Sequence, residues 1–468
     1  MRSIGALAIL ATLCLLLAGV PAASAARVVT IRGGGWGHGM GMSQYGAYGR
    51  ALAGRRAERI VEHYYSGASV RRVHMPKVRV GLLQGRSSVT FGSRRRAGKG
   101  GHIVLKVSGA SRRVAAGGPR DSFRVAPMPG GKMRVYKNGN RVGRHGRRVF
   151  GSHSRPLIVK FERFGSLARV TGKPYSFADG RLQLGTYASS TCGGRCLRLV
   201  LSIPMQGYLL GLGEVPSSWP QAALRAQAIA GRTYAFEKSR RTGAHQAPCD
   251  CTVYDSTVDQ AYIADAKRTT SGPYWRDWRR AVKRTRRRVI LDRGRPIQAL
   301  YSSSSGGHTE NNENVWGGTP ISYLRGVRDR PDRVAANPNH TWTEKMSWTA
   351  FSSRLGAAYG IGRLRRVVLL KPFGVSGRVT VPKPNGRGGA RIKGTSGTVR
   401  VSGYSLKLAL GLRDTLFRIS VHKGGSRSGS SPWSRQGSAG SVMGTSVDGA
   451  PEAMVAHQRK LLTQTAAP

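Results

Sequence analysis

The stretch that most restricts what this chain can fold into is residues 207–236, GYLLGLGEVPSSWPQAALRAQAIAGRTYAF. An apolar run leads into a loop bounded by Gly and Pro that holds one acidic residue, Glu214. A series of small residues follows: Ala222, Ala223, Ala226, Ala228, Ala230 and Gly231. Small side chains let a helix lie close to its neighbours, so the spacing predicts a buried helix. Ser217 or Ser218 is a candidate N-cap, and Pro220 suits the first turn, where no backbone donor is missed. The same helix carries Gln227, Arg232 and Tyr234, which need partners if buried. Glu214 has two readings on these residues alone: a general acid, or a loop carboxylate paired with Arg232.

The motif YLLGLGEVPSSWPQAALRAQAIAGRTYAF resembles the signature segment of the stage II sporulation protein D and amidase-enhancer (SpoIID/LytB) family. The loop is shorter than in that pattern, and Glu214-Val215-Pro216 stands where Glu-Met-Pro is typical. Two further motifs carry the resemblance. Residues 28–44, VTIRGGGWGHGMGMSQ in their main part, are similar to the family's Gly-x-Gly-His-Gly segment and include His38 and Gln44. Residues 301–310, YSSSSGGHTE, are similar to its Tyr-x-Ser-x-Ser-Gly-Gly-x-Thr-Glu segment and include Tyr301, Ser302, Ser304, Ser305, Gly306 and Gly307. In the family pattern the Gly-His-Gly motif closes the domain, whereas in this chain it precedes everything else. The predicted fold is α+β and β-rich, around a buried Ala-rich helix, with motif order circularly permuted. The strand at 28–31 is therefore expected beside strands of the 364–420 region, with Trp36, His38 and Gln44 brought toward Glu214 and the serine loop.

Residues 1–26 read as a secretory signal peptide: Arg2, an apolar run at 4–18, and the small residues Ala23-Ser24-Ala25. The expected organisation continues with the Gly-His-Gly strand and helices at 27–74 and a β-rich region at 75–180. A SpoIID-like core at 181–420 and a disordered Gly/Ser-rich tail at 421–468 complete it. Strands are expected at 77–83, 102–107, 122–125, 133–136, 157–161, 181–184, 197–203, 296–301, 365–370, 378–381 and 397–401, with Arg94–Arg96 in a turn.

Four cysteines lie beyond the signal segment. Cys192 and Cys196 flank a hairpin turn and are expected to form a disulfide. Cys249 and Cys251 suit a second one, although with His245 they also make a three-ligand set for zinc, the single cofactor considered. The serine loop and its asparagines, beside Trp316, offer donors and an aromatic face of the kind that suits sugars.

With 77 Lys+Arg against 21 Asp+Glu, the formal charge is +56. Such a field favours polyanions, and for an exported chain these are anionic wall polymers, not nucleic acid. No membrane span is expected after signal removal. The family resemblance implies lytic cleavage of peptidoglycan glycan strands, with Glu214 as acid and base. It also implies Gln227, Arg232 and Tyr234 as substrate-orienting groups, and the serine loop, His38 and Gln44 as the cleft lining. The alternative it implies is a non-catalytic wall-binding protein that stimulates a cell-wall amidase. Exposed charges are screened over about 8 Å at physiological ionic strength. Cosedimentation with purified walls should thus fall sharply between low salt and several hundred millimolar salt; salt-indifferent binding would point to neutral sugar recognition instead.

Overall fold

The computed structural model describes residues 27–143, 148–152 and 154–422. The expected signal peptide, and the expected tail from residue 423 onward, lie outside the described residues. The fold is α+β and β-rich, as expected, and it divides into two compact units.

In one unit, residues 27–34, 341–373 and 377–422 come together. The strand Val28–Gly34 is the middle of a three-stranded antiparallel sheet, between Trp342–Ser347 and Leu416–His422. The β-branched run Val28–Ile31 forms this strand because alternate side chains, Val29 and Ile31, reach a core with Phe351, Leu355, Leu406 and Phe417. The pairing with Leu416–His422 is the neighbour relation expected for a permuted motif. Val421 and His422, expected to open the tail, belong to this last strand. A second small sheet joins Leu364–Leu369, Ala390–Gly394 and Thr398–Val401. The expected strand at 378–381 is absent from both sheets. Arg378 instead turns inward to a buried ion pair with Asp414, Nε to Oδ1 2.8 Å.

The other unit spans residues 35–340 with 374–376 among the described residues. Two seven-stranded sheets share one apolar core. The first runs in the order Asn140–Arg141, Met133–Lys137, Ser122–Pro127, Val89–Arg96, Ser166–Val170, Ser176–Phe177, with Lys99–Gly100 on the Val89–Arg96 strand. It contributes Phe91, Phe123, Val135 and Ala168 to the core. The second runs Val253–Tyr254, Lys77–Arg86, Gly194–Pro204, Arg181–Ser189, Leu157–Phe161, Ile103–Val107, Arg113–Gly117. It contributes Val80, Leu199, Leu184, Val159 and Leu105. Strands on either side of position 180 therefore share one sheet. Arg94–Arg96 close a strand and do not form a turn, since the buried alternation Val89, Phe91, Ser93 carries the ladder through them. The 296–301 segment supplies only the two-residue pieces Arg295–Pro296 and Tyr301–Ser302.

The helix Gln221–Thr242 is buried along most of its length, and its small residues bring it against the helices Gln44–Leu52, Ala57–Tyr64 and Trp275–Arg284. Pro220 is its N-cap, so neither Ser217 nor Ser218 caps it; the Ser217 hydroxyl bonds to that of Ser271 at 2.7 Å. Ser43 caps Gln44–Leu52 by accepting from Gly46 N–H. Cys192–Cys196 and Cys249–Cys251 are both disulfides.

A Cβ at Gly33 would stand 2.3 Å from the Trp342 ring and 2.5 Å from the Leu416 carbonyl oxygen. Backbone on one side and a packed indole on the other cannot give way together. Gly33→Ala is expected to lower unfolding stability by about 1–3 kcal/mol, read as a lower denaturant midpoint; an unchanged midpoint would contradict this packing.

Candidate active site

Glu214 sits where the loop after the short helix Met205–Leu210 pairs with residues 260–263. Gly213 N–H donates to Ala261 O at 2.7 Å, and Ile263 N–H donates to Gly211 O at 2.8 Å. A Cβ at Gly211 would lie 2.4 Å from the Tyr262 ring, which explains the glycine. The half-buried Glu214 carboxylate accepts from Ala261 N–H at 2.7 Å and from the Tyr301 hydroxyl and the Gln44 side chain. Burial raises its pKa above the usual carboxylate range. The donors from Ala261, Tyr301 and Gln44, and the Lys267 charge, oppose that rise without cancelling it. Lys267 donates to Val215 O at 2.6 Å, and burial pushes its pKa down to about 8.

The donors to Glu214 are themselves held. Gln260 Nε2 donates to the Tyr301 hydroxyl oxygen at 2.7 Å and to Gly231 O at 3.2 Å, while its Oε1 accepts from Tyr208 at 2.9 Å. A Cβ at Gly231 would come within 3.2 Å of that amide, so the helix glycine makes room for Gln260. Gln44 Nε2 also donates to Gln227 Oε1 at 3.3 Å. Gln227 Nε2 is buried and has no hydrogen bond among the described residues.

The N-terminal motif meets the serine loop directly. Met42–Ser43 pairs in parallel with Tyr301–Ser302, and Trp36 N–H donates to Ser304 O at 3.0 Å. His38 Nδ1 accepts from Met40 N–H at 3.0 Å, and its ring meets Trp316 edge-on at 5.3 Å. Trp219, from the glutamate loop, packs on Tyr45 and Tyr48 at 5.1 Å.

Ser304 and Ser305 of the serine loop turn their hydroxyls inward to buried carboxylates. Ser304 and Ser305 are fully buried and donate to Asp332 Oδ2 and Asp329 Oδ2, each at 2.8 Å. Gly306 and Gly307 take the positive φ values of 67° and 105°, which glycine adopts without strain. They aim their N–H groups at Asp332 Oδ2 and Ser305 Oγ. Asp332 also accepts from Ser43 at 2.7 Å, Ser305 N–H at 3.0 Å and Asn337, and pairs with His340 Nδ1 at 2.9 Å. Burial alone would raise Asp332, but donation from His340, Ser43 and Ser304 holds it below its ordinary pKa. Asp329, beside it, is pushed up to about 6, chiefly by burial. Ser302 is buried with its Cβ against Gly37.

Arg232 neither pairs with Glu214 nor faces a cleft. It is fully buried and donates to Arg288 O at 3.0 Å, Gln206 Oε1 at 3.2 Å and Thr285 at 3.2 Å. Half-buried Tyr234 donates to Asp259 at 2.6 Å, which Lys238 also neutralises at 2.5 Å. Both residues are anchors of the core helix. The zinc set His245, Cys249 and Cys251 fails because the two thiols are joined to each other and His245 Nδ1 pairs with Asp250. Among the described residues no group of three or more His, Cys, Asp or Glu is arranged to hold a metal ion. Gln260, Lys267, Asp329 and Asp332 were not anticipated as part of the site. Their roles depend on contacts with residues remote in sequence, such as Tyr301 for Gln260, Val215 for Lys267, Tyr64 for Asp329 and Ser43 for Asp332, which local patterning does not reveal.

Residues 194–291 match the family model described as Stage II sporulation protein, SpoIID. The chain is similar to the Stage II sporulation protein D of Bacillus subtilis (strain 168), 30% identical over 164 residues, 34% of this chain and 47% of that protein. It is 34% identical over 135 residues to the Amidase enhancer of the same organism, covering 29% of this chain and 16% of that protein. A Brachyspira hyodysenteriae protein, uncharacterized by name, is 31% identical over 159 residues, 34% of this chain and 40% of that protein. The chain thus spans less than half the length of these relatives, and the matches support the SpoIID family for that part of it.

Tyr301→Phe removes a donor to the ionised form of Glu214, so the carboxyl pKa should rise. A carbon-detected NMR titration of the Glu214 carboxyl should show the midpoint shifted upward relative to the parent. A midpoint that stays put would mean that Tyr301 does not hold this carboxylate.

Proposed function

We propose that this chain is an exported cell-wall protein that cleaves peptidoglycan glycan strands lytically, with Glu214 as the one acid–base group. The observation that carries the reading is a single half-buried carboxyl with a raised pKa and no ion pair of its own among the described residues. The acids in the neighbouring 255–259 segment are neutralised: Asp259 by Lys238 at 2.5 Å, Asp255 by Lys173 at 2.6 Å. A hydrolase needs two working carboxyl groups and a water. Lytic cleavage needs one. The protonated Glu214 gives its proton to the glycosidic oxygen as the C1–O bond breaks. The resulting carboxylate takes the proton of the sugar's own C6 hydroxyl as that oxygen closes on C1. The enzyme ends the cycle protonated, and no water is used.

A carboxyl pKa raised by burial suits a group that must be an acid first and a base second. Tyr301, Gln44 and Ala261 N–H stabilise the carboxylate between the two steps. The free amide of Gln227, held beside Gln44, is the polar group left for substrate. Exposed Trp36, 52% accessible, and the His38–Trp316 pair offer faces for sugar rings. No helix among the described residues is long and apolar enough to cross a membrane. The relative named Amidase enhancer motivates the second outcome tested below.

Glu214→Gln keeps shape but cannot exchange a proton in the needed range. A muropeptide digest should yield anhydro-sugar ends with the parent protein and none with the variant. Relative to the parent, the variant should also gain heat stability as pH rises above the ordinary carboxylate range. Because folding raises the Glu214 pKa, its stabilising contribution is complete at low pH and is lost as pH rises through the folded pKa. The melting-temperature difference should therefore grow with pH. Parent protein that yields no anhydro ends, yet binds walls and speeds a separate amidase, would replace this reading with the enhancer one.

A further inference from the structure

The first seven-stranded sheet has an outward face that the site above does not use. Strand alternation fixes which residues lie on it. Phe91, Phe123, Val135 and Ala168 point into the core, so their neighbours Thr90, Arg124, Arg134, Tyr136 and Arg169 point away. Registers add the rest. Arg141 lies across from Tyr136, Tyr136 from Arg124, and Arg124 from Thr90. Ser122 and Arg169 lie across from Gly92 on either side, Ser176 across from Arg169, and Arg94 across from Leu167. No Asp or Glu occupies an outward strand position.

None of Arg94, Arg124, Arg134, Arg141 and Arg169 makes an ion pair among the described residues. Arg124 lies over the Tyr136 ring at 3.8 Å, and Arg134 Nε is buried without a hydrogen bond. The acids at the margins are already engaged: Asp265 with Arg96 and Arg268, Asp121 with Lys137 and Asn138. The second sheet is treated differently. Its Arg79 and Arg198 both meet Asp250, at 2.7 Å and 3.6 Å. Like charges on neighbouring strands about 4.8 Å apart repel one another, and a fold gains nothing from leaving them uncompensated.

We propose that this face binds a linear polymer of phosphodiester-linked polyols, a wall polyanion that would hold the protein on its substrate. The guanidinium fork matches phosphate geometry in pairs of hydrogen bonds. Thr90, Ser122 and Ser176 stand between the arginines as partners for polyol hydroxyls. Single-stranded nucleic acid binders need several aromatic platforms for base stacking. This face has one aromatic, Tyr136, already covered by Arg124, so its chemistry favours the polyol phosphate. The choice of a wall polymer rests on the cell-wall reading above.

The test compares two variants of equal charge in the full chain. One carries Arg94→Gln, Arg124→Gln, Arg141→Gln and Arg169→Gln. The other removes four charges from the basic run around the helix Trp275–Arg284, with Arg276→Gln, Arg279→Gln, Arg284→Gln and Arg286→Gln. The probes are purified poly(glycerol phosphate), poly-glutamate of matched charge and single-stranded DNA, with circular dichroism as the check on folding. The sheet variant should lose at least tenfold in affinity for poly(glycerol phosphate), with the helix-run variant within twofold of the parent. Parent affinity for poly(glycerol phosphate) should exceed that for the other two polymers. Equal losses in both variants, or DNA or poly-glutamate bound as tightly, would overturn the assignment. Cleavage by the sheet variant of short peptidoglycan glycan strands freed of wall polymer should equal the parent's, so failure of this site and failure of the lytic reading register separately.

Discussion

The buried carboxylate of Asp332 is the point on which the candidate site depends. It accepts from Ser43, Ser304, the backbone at Ser305 and Gly306, and Asn337, and it pairs with His340. These partners come from its own segment, from the serine loop and from Ser43, 289 residues away. Charge-assisted hydrogen bonds to a buried anion are the stronger kind, and removing any one leaves a desolvated group behind. With Ser43 fixed as the cap of Gln44–Leu52, Gln44 is set at the start of that helix, facing Gln227 and Glu214. With Ser304 fixed, Trp36 and Tyr301 are fixed as well.

Two polar systems of opposite chemistry are thus found in this unit. Around Asp332, donors outnumber what the carboxylate needs, and its pKa is held low. Around Glu214, burial outweighs the donors and the pKa is held high. Two carboxyls driven apart by their surroundings are the arrangement in which one stays a structural anion and the other can hold a proton. Lys267 and Asp329, whose pKa values move toward neutrality from opposite sides, reflect the same low-dielectric interior.

The serine loop shows how residue type alone misleads. A run of Ser, Gly and Asn beside Trp316 reads as a hydroxyl-rich surface for sugars. Yet Ser304 and Ser305 face inward, and Asn312 holds the chain at Thr319 and Ile321. A hydroxyl offers the same chemistry to a sugar and to a buried carboxylate. Which it meets depends on where Asp329 and Asp332 lie, and their sequence distance hides that. Arg232 is the converse case: a cation near the acid in sequence but bonded to Arg288 O, Gln206 and Thr285, because 3.6 residues per turn carry it to another face of the helix.

The sequence by itself pointed to the α+β class, the buried small-residue helix, the Cys192–Cys196 bridge and a place for the Val28 strand beside the 364–420 region. It also singled out Glu214. The helix and the bridge follow from local pattern and turn chemistry, whereas the place of the Val28 strand and the weight on Glu214 follow from the resemblance to the SpoIID/LytB family. The tertiary structure alone decided which groups touch Glu214, and which of the serines and cations are structural. It also decided that the N-terminal motif is divided, its strand in one unit and its glycine loop, His38 and Gln44 in the other. The physical reason is that pKa values and hydrogen-bond partners are set by what lies within a few ångströms. In this chain those neighbours are drawn from positions as far apart as Gln44, Glu214, Ala261 and Tyr301.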